Sequence, residues 1–454
     1  MWQSPNKLAE LSLKNIQKRL DINPELQKLI SNTIWLFCER GLHLLLALFI
    51  GVLLARYLGT EQFGIYNFAA AFLGMFSPFT QLGLNGILTR DIVKKPEIKD
   101  EILGTAFLLR LFGALLTLVI ALIFIRFLRP NDLNVQLLIL FLLIGNFFDP
   151  FQIIDFWFES KVLSKYVVIA NSSALLIFYG LNLTLVLIKA PLITFAITLA
   201  IKPLINSIFL VVAYQYCKNK LLNWKFNFVQ AKILLSQSWL LIISSFGAVI
   251  YLKIDQIMLA QMTTVASVGI YSVAVRLSEV WYFIPTAIVA SLFPSLVKIR
   301  EQEREIYYTK LQKIYDLLVY TALVLAIPIT FLGTPVIKLL YGNAYEEAGL
   351  ILSIHIWASV FIFMRALLSK WLIVENMFIF SFVTHASGAV INILLNFILI
   401  PQLGGVGAAI ATVLAYATAS YFALFFHPKT WEMACMMTKA LLAPIRNIRN
   451  GNVH

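Results

Sequence analysis

The sequence predicts an all-α, polytopic membrane protein of about twelve transmembrane helices. They fall into two six-helix lobes related by a pseudo-twofold axis along the membrane normal. Three observations carry that expectation. The first is composition: 454 residues, 60% hydrophobic and 13% charged, with mean hydropathy +0.83. Soluble domains are about 45–50% apolar and about 25% charged, so lipid must solvate this chain. The second is a series of apolar runs of spanning length. The third is an internal repeat. Residues 52–71 (VLLARYLGTEQFGIYNFAAA) align without a gap on residues 257–276 (IMLAQMTTVASVGIYSVAVR), at an offset of 205. Leu54, Ala55, Gly64, Ile65, Tyr66 and Ala69 meet Leu259, Ala260, Gly269, Ile270, Tyr271 and Ala274. The shared Gly-Ile-Tyr block opens the second apolar run of each half. Two similar halves in a membrane are the habit of secondary transporters.

Taken in order, residues 1–31 are polar. Leu8, Leu11, Ile16 and Leu20 recur among lysines and arginines, which reads as an amphipathic helix on the membrane surface. No apolar core follows a basic start, so no cleavable signal peptide is expected. A span needs ~20 residues. Runs of that order lie near 33–55, 62–88, 103–128, 135–158, 167–188, 191–216, 233–261, 267–297, 314–333, 347–374, 377–400 and 404–427. The expected divisions are an N-terminal lobe over 32–216, a basic linker over 217–232 and a C-terminal lobe over 233–427. A tail over 428–454, apolar and basic in alternation, is expected along the inner surface.

Orientation follows from the connections. With the N-terminus inside, 24 lysines and arginines fall on the cytoplasmic side and 5 (Arg56, Arg126, Arg129, Lys189, Lys338) on the other. The positive-inside rule therefore predicts both termini in the cytoplasm and an even number of crossings. Six helices separate the repeat copies, so the halves share one orientation. The net charge of +13 is read the same way, as basic loops against anionic lipid, with no nucleic-acid partner.

Seven cations remain inside apolar runs: Arg40, Arg110, Lys202, Lys253, Arg276, Arg365 and Lys370. Each costs about 2.5–3.5 kcal/mol at a helix centre, so each needs a watery cavity, a partner or a snorkelling route. The lysines are placed at interfaces or helix ends. Glu279 follows Arg276 by three residues, within reach of an ion pair on one helix face. Arg40, Arg110 and Arg365 have no acid at i±3 or i±4 and need partners on other helices, or an anionic ligand. Acids in the runs are Glu39, Asp149, Asp155, Asp255 and Glu279. In the repeat Arg276 aligns with Ala71, Glu279 with Gly74 and Asp255 with Ile50, so the second half carries charges the first lacks. His355 and His385 are either buried, hydrogen-bonded histidines or proton-coupling groups.

Nothing points to bond-making chemistry. GxxxxGK[ST], HExxH and GxSxG are absent. Cys38, Cys217 and Cys435 are too scattered for a disulfide framework or a metal site, and no cofactor is expected. The chain is therefore expected not to be an enzyme.

Several blocks resemble the polysaccharide-transport flippases of the Wzx type. RYLGTEQFGIYNF (56–68) with QLGLNGILTRDIVK (81–94) is similar to that family's first-half signature. YLKIDQIMLAQM (251–262), VGIYSVAVRLSEVWYFIP (268–285) and LFPSLVK (292–298) resemble its second-half signature, and LYGNAYEEAGLIL (340–352) and PQLGGVGAAIATVLAY (401–416) resemble later segments. The family belongs to the multidrug, oligosaccharidyl-lipid and polysaccharide exporter group. The resemblance implies two lobes in a V around a central cavity in the cytoplasmic membrane. It implies a substrate, an oligosaccharide joined through diphosphate to a polyprenol, flipped from inner to outer leaflet for O-antigen, exopolysaccharide or capsule synthesis. It also implies a polysaccharide polymerase nearby, and Asp255 matches the family's acidic position in helix 7. On this reading Arg40, Arg110, Arg276 and Arg365 are cavity cations that bind the diphosphate. Asp255 and Glu279 are their counter-charges or the site that couples Na⁺ or H⁺. The alternatives are a multidrug antiporter of the same fold, a lipid II flippase, and a non-transporting membrane scaffold.

Overall fold

The computed structural model describes residues 24–302, 304–375 and 377–451, and among these every regular element is a helix. The interfacial helix expected at the N-terminus lies, up to residue 23, outside the described residues. Among the described residues ten helical segments are long and apolar enough to cross a bilayer. Two of them, Ile34–Met75 and Ile379–Phe426, run 42 and 48 residues, about twice the ~20 that one crossing needs. Each is broken at a glycine: Gly59 at φ 71, ψ 178 and Gly404 at φ 55, ψ −130. Side chains with a Cβ avoid both conformations. Divided there, the crossings are twelve, in the order read from the sequence. They are α1 (34–58), α2 (60–75), α3 (Pro96–Leu128), α4 (Leu133–Ser160), α5 (Ser164–Leu187), α6 (Leu192–Tyr216), α7 (Phe228–Met262), α8 (Val265–Leu292), α9 (Glu305–Tyr341), α10 (Ala348–Val374), α11 (379–403) and α12 (405–426).

The second expected run, 62–88, is not one helix. It stops at Met75, restarts as the short helix Ser77–Gln81 with Pro78 in its first turn, and turns through Leu82 (φ 53) and Gly83 (φ 60). A further helix, Asn85–Lys94, follows. Gly83 serves a close approach as well as a turn, because a Cβ there would press on Leu241 and on the backbone of Ser238 and Ile242 in α7.

The linker between the halves is strapped to the N-terminal half. The Lys225 N–H donates to the Asp100 carbonyl, and Asn227 donates to Glu101 and accepts from Val229 and Gln230 to start α7. The C-terminal helix is Trp431–Gly451 (α13). Its Met433, Ala434, Met437 and Ala440 are buried against α9 and α10, in a cluster with Tyr315, Leu318 and Phe363. Part of its apolar surface is thus covered by protein, while Trp431 and Leu442 stay exposed.

The two halves meet through the repeat itself. Gly64 on α2 lies against the backbone of Val265 and Gly269 on α8, and Gly269 lies against Thr60 and Gly64. Thr60 and Val265 are equivalent at the repeat offset, so the contact is symmetric about the pseudo-twofold. Leu54, Ala55, Phe63 and Ala69 pack with Leu259, Ala260, Val268 and Ala274 in one shared core. At the same end, three helix C-termini are capped from the opposite half. Arg56 donates to the Leu339 and Leu340 carbonyls of α9, at 2.6 and 2.7 Å. Arg129 donates to the Ala260 carbonyl of α7 and lies over the Phe68 ring. The Tyr345 hydroxyl donates to Ala55 of α1 at 2.9 Å. The last four carbonyls of a helix lack intrahelical partners, and a guanidinium also suits their negative potential.

Gly64→Ala or Gly269→Ala is expected to cost about 1–3 kcal/mol through overpacking. Gly180→Ala, where nothing lies within 4 Å, should be neutral or gain up to ~1 kcal/mol of helix propensity. Thermal unfolding in lipid nanodiscs checks the contrast. Arg56→Ala with Arg129→Ala should raise hydrogen exchange in 258–262 and 339–346 if these caps hold that end shut.

Candidate transport site

Between the halves lies a chamber of about 360 Å³. On one side α1 and α2 offer small side chains, Ala47, Ala70 and Ala71; on the other, α7 and α8 offer Lys253, Arg276 and Glu279. The repeat explains the shape. Ala71 is the counterpart of Arg276, so the first half leaves empty the volume into which the second projects its charge. Gly51 completes the space, since a Cβ there would overlap the Arg276 Nη1. The guanidinium sits 5.7 Å from the Phe63 ring centroid, a cation–π contact. Among the described residues the Arg276 side chain makes no hydrogen bond and no ion pair. The ion pair with Glu279 that the i, i+3 spacing allows does not form: no oxygen of Glu279 comes within 4.0 Å. Formal charge on the chamber wall is +1 from these three groups.

The other predicted arginines do not converge on this point. Arg110 is buried inside the N-terminal half, where it donates to Asn85 Oδ1 at 2.8 Å and to the Gln81 carbonyl at 3.4 Å, and lies over Phe156. It thereby pins the break between Ser77–Gln81 and Asn85–Lys94. Arg365 is buried inside the C-terminal half and donates to Thr384 Oγ1, to the Ala419 carbonyl and to His385 Nε2, at 2.9, 2.8 and 2.7 Å. Because Nε2 accepts, the neutral ring carries its proton on Nδ1, which faces the Tyr251 oxygen at 3.0 Å. Arg40 is exposed, one residue from Glu39. Neutral groups within a lobe thus bind two of the four, with the Arg365 Nε left buried and without an acceptor, and Arg276 alone of them lines the inter-lobe chamber. His355 is buried and paired with Ser278 at 2.9 Å.

Asp255 is caged where α7, α8, α11 and α12 meet. Its Oδ1 accepts from Asn396 Nδ2 at 2.6 Å, and its Oδ2 accepts from the Tyr271 hydroxyl at 2.8 Å and the Thr412 hydroxyl at 2.5 Å. Asn392 Oδ1 accepts from Asn396 as well, while Asn396 Oδ1 is buried with no donor. Three neutral donors thus meet the two oxygens of this buried carboxylate. Tyr271 is the tyrosine of the repeated Gly-Ile-Tyr. Its counterpart Tyr66 has Ile50 where Tyr271 has Asp255, so the cage exists in one half only.

The sequence reading missed Lys202 and Lys253, which it placed at interfaces; both line cavities. Asn146 and Gln152, polar residues able to line a cavity, and the intramembrane acids Asp149 and Asp155 form one row on α4: they recur every third residue, and residues Asn146–Gln152 form a 3₁₀ helix. Side chains three apart stack on one face of such a helix, so the period of three was the available signal.

Arg110→Ala and Arg365→Ala should each lower the unfolding midpoint, by about 1–3 kcal/mol for the partners left unsatisfied. Arg276→Ala should leave it unchanged or raise it, because an unpaired cation is removed. Nanodisc thermal unfolding reads all three.

Similarity to characterised proteins agrees with this architecture. The family model described as polysaccharide biosynthesis protein matches residues 29–300. Probable flippase AglR of Haloferax volcanii is 31% identical over 186 residues, 39% of this chain. That match spans only 38% of AglR's own length. The capsular polysaccharide biosynthesis protein CapF of Staphylococcus aureus is 23% identical over 88% of this chain and 100% of its own. Among solved structures, the lipid II flippase MurJ in an inward closed conformation superposes with TM-score 0.69 at 16% identity, covering 91% of each chain. An inward-facing multidrug MATE transporter gives TM-score 0.64 at 15% identity, over 87% of this chain and 96% of that one. At such identities these two speak for the fold, a twofold-repeat membrane transporter architecture. With the family model covering more than half its length, this chain belongs to the polysaccharide biosynthesis protein family.

Proposed function

We propose that the protein is a flippase for polyprenyl-diphosphate-linked oligosaccharide, moving it from the inner to the outer leaflet of the cytoplasmic membrane by alternating access. The substrate would feed a polysaccharide polymerase. The observation that carries this reading is the unpaired Arg276 guanidinium in a chamber between the lobes. A diphosphate is a dense anion, and guanidinium binds phosphate oxygens through paired donors. In a dry, lipid-like site an unpaired cation would cost about 2.5–3.5 kcal/mol or more, so its retention there is accounted for by water and an anionic guest. The name of AglR, a probable flippase, supports the movement, and that of CapF, a capsular polysaccharide biosynthesis protein, supports a saccharide cargo.

The geometry supports a mechanism of the following kind. The lobes, taken as 32–216 and 233–427, are latched at the Gly64–Gly269 end by Arg56, Arg129 and Tyr345. That end faces outward if both termini are cytoplasmic, as the loop charges predict, and the chamber then admits substrate from inside. The headgroup takes Arg276 while the prenyl chain stays in lipid. Breaking the caps frees the outer end, and the lobes rock about the fixed site. The Asp255 cage spans α7, α8, α11 and α12, so occupancy by Na⁺, or protonation of the carboxylate, would bias how those helices pack and couple an ion gradient to the rocking.

A second reading, efflux of cationic compounds by a multidrug antiporter, is favoured by one observation: the N-terminal half encloses a cavity with Glu39, Asp149 and Asp155 against Lys202.

Arg276→Ala should cut surface polysaccharide at least roughly tenfold in cells, the loss of one charge-assisted phosphate contact, with expression unchanged. Gly51→Leu should do the same by displacing the guanidinium. Normal polymer in both variants would reject the diphosphate reading. In proteoliposomes, Asp255→Asn should remove the dependence of flipping on Na⁺ at constant pH, or on pH at constant Na⁺; whichever dependence the native chain shows names the ion. Drug resistance that Arg276→Ala leaves intact would favour the second reading.

A further inference from the structure

The cavity of the N-terminal half takes no part in the mechanism above. It measures about 540 Å³, inside the range of about 300–1,000 Å³ usual for small-molecule sites. It adjoins the Arg276 chamber across α2, where Ala70 lines both. Gly74, the repeat counterpart of Glu279, leaves room on the same face. The cavity is walled by α1, α2, α4, α5 and α6, and more than half of its lining side chains are polar or charged.

The wall holds hydrogen-bonding capacity that the protein itself does not use. Asn171 donates to Glu39 at 3.0 Å and Gln152 donates to Asp149 at 3.1 Å. Beyond these pairs, Asp155 Oδ1, Asn171 Oδ1 and Asn206 Oδ1 are buried with no donor. Asn146 is 9% exposed, and its side chain lines the cavity and makes no hydrogen bond among the described residues. Lys202 adds a donor and rests over the Phe178 ring at 5.2 Å. Of these, the Asn146 amide and the Lys202 ammonium face the open volume, where water meets them when the site is empty of guest. A guest that replaces it must bring many donors and a few acceptors at short spacing, and vicinal hydroxyls do so because each both donates and accepts. Phosphate fits poorly, since no arginine lines this wall and three carboxylates do. A metal ion fits poorly too: no group of three or more His, Cys, Asp or Glu is placed to hold one among the described residues.

We infer that this cavity is the saccharide subsite, and that its surplus of carboxylates selects neutral or amino sugars over sugars that carry a carboxylate. The inference rests on the reading of the chain as a carrier of diphosphate-linked sugars. Arg276 then holds the diphosphate, and Asn146, Asp155 and Asn171 read the first sugars beside it. Like charges brought together across a site disfavour a wrong partner strongly, and here the wrong partner is a uronic acid.

The test uses the whole protein in nanodiscs and three probes: polyprenyl diphosphate alone, the same lipid carrying N-acetylglucosamine, and the same lipid carrying glucuronic acid. The native protein should bind the N-acetylglucosamine lipid more tightly than the bare lipid, and the glucuronic acid lipid at least roughly tenfold more weakly than the N-acetylglucosamine lipid. Asn146→Ala should weaken the N-acetylglucosamine lipid roughly three- to tenfold and leave the bare lipid alone. Asp155→Asn should narrow the gap between the two sugars. Equal affinity for all three probes overturns the subsite, and so do variants that shift the bare lipid as much as the loaded one. The comparison on native protein stands even if a variant fails to fold. Bare lipid that ignores Arg276→Ala counts against the diphosphate site instead, and leaves the difference between sugars to judge the cavity. Saturable ethidium binding that Asp155→Asn abolishes, with no preference among the three lipids, overturns the inference in favour of cation efflux.

Discussion

Backbone touches backbone where Gly64 meets Gly269, and most of the remaining structure is arranged around that contact. Neither residue has room for a Cβ, because Val265 and Thr60 already occupy the space. Close packing of small residues is how helices associate in lipid, where apolar side chains gain nothing by leaving their solvent. The contact brings α2 and α8 together at one end and places Leu54, Phe63, Leu259 and Val268 in a single core. Once the helices meet there, the C-terminal carbonyls of α1, α7 and α9 come within reach of Tyr345, Arg129 and Arg56. Carbonyls that have no partner in their own helix thereby become the means of joining the lobes.

A symmetric scaffold carries an asymmetric site. At equivalent positions the first half has Ala71, Gly74 and Ile50, and the second has Arg276, Glu279 and Asp255. Small residues on one side make the volume, and charged residues on the other fill it with polarity. Gly51 extends the same logic, since only the absent Cβ lets the Arg276 guanidinium lie where it does. The tyrosines of the repeated motif diverge for the same reason: Tyr271 donates to Asp255, and Tyr66 has Ile50 in that place.

The arginines show that intramembrane charge has more than one solution. Arg110 and Arg365 are surrounded by amide, hydroxyl, carbonyl and imidazole acceptors. Such neutral acceptors take up N–H groups without cancelling the charge, which suits a structural post between helices, although the Arg365 Nε finds none. Arg276 has an aromatic face and open volume, which suits a ligand. Local spacing could not separate these fates, because acceptors for Arg365 come from residues 384, 385 and 419 and those for Arg110 from 81 and 85.

Composition, the ~20-residue runs and the repeat were enough to determine a twelve-crossing helical membrane protein with two related halves, since crossing a bilayer is a local demand of length and apolarity. The same repeat marked Arg276, Glu279 and Asp255 as positions where the halves differ. What only the tertiary structure decided was which charges face open volume. Arg276 and Lys253 reach a chamber, while Arg110 and Arg365 are consumed inside a lobe. The row Asn146, Asp149, Gln152 and Asp155 meets Glu39 and Lys202 across a cavity built from helices far apart in the chain. The physical reason is that a buried polar side chain is satisfied by whichever partner packing brings near it. Packing between distant helices leaves no periodic trace along the chain.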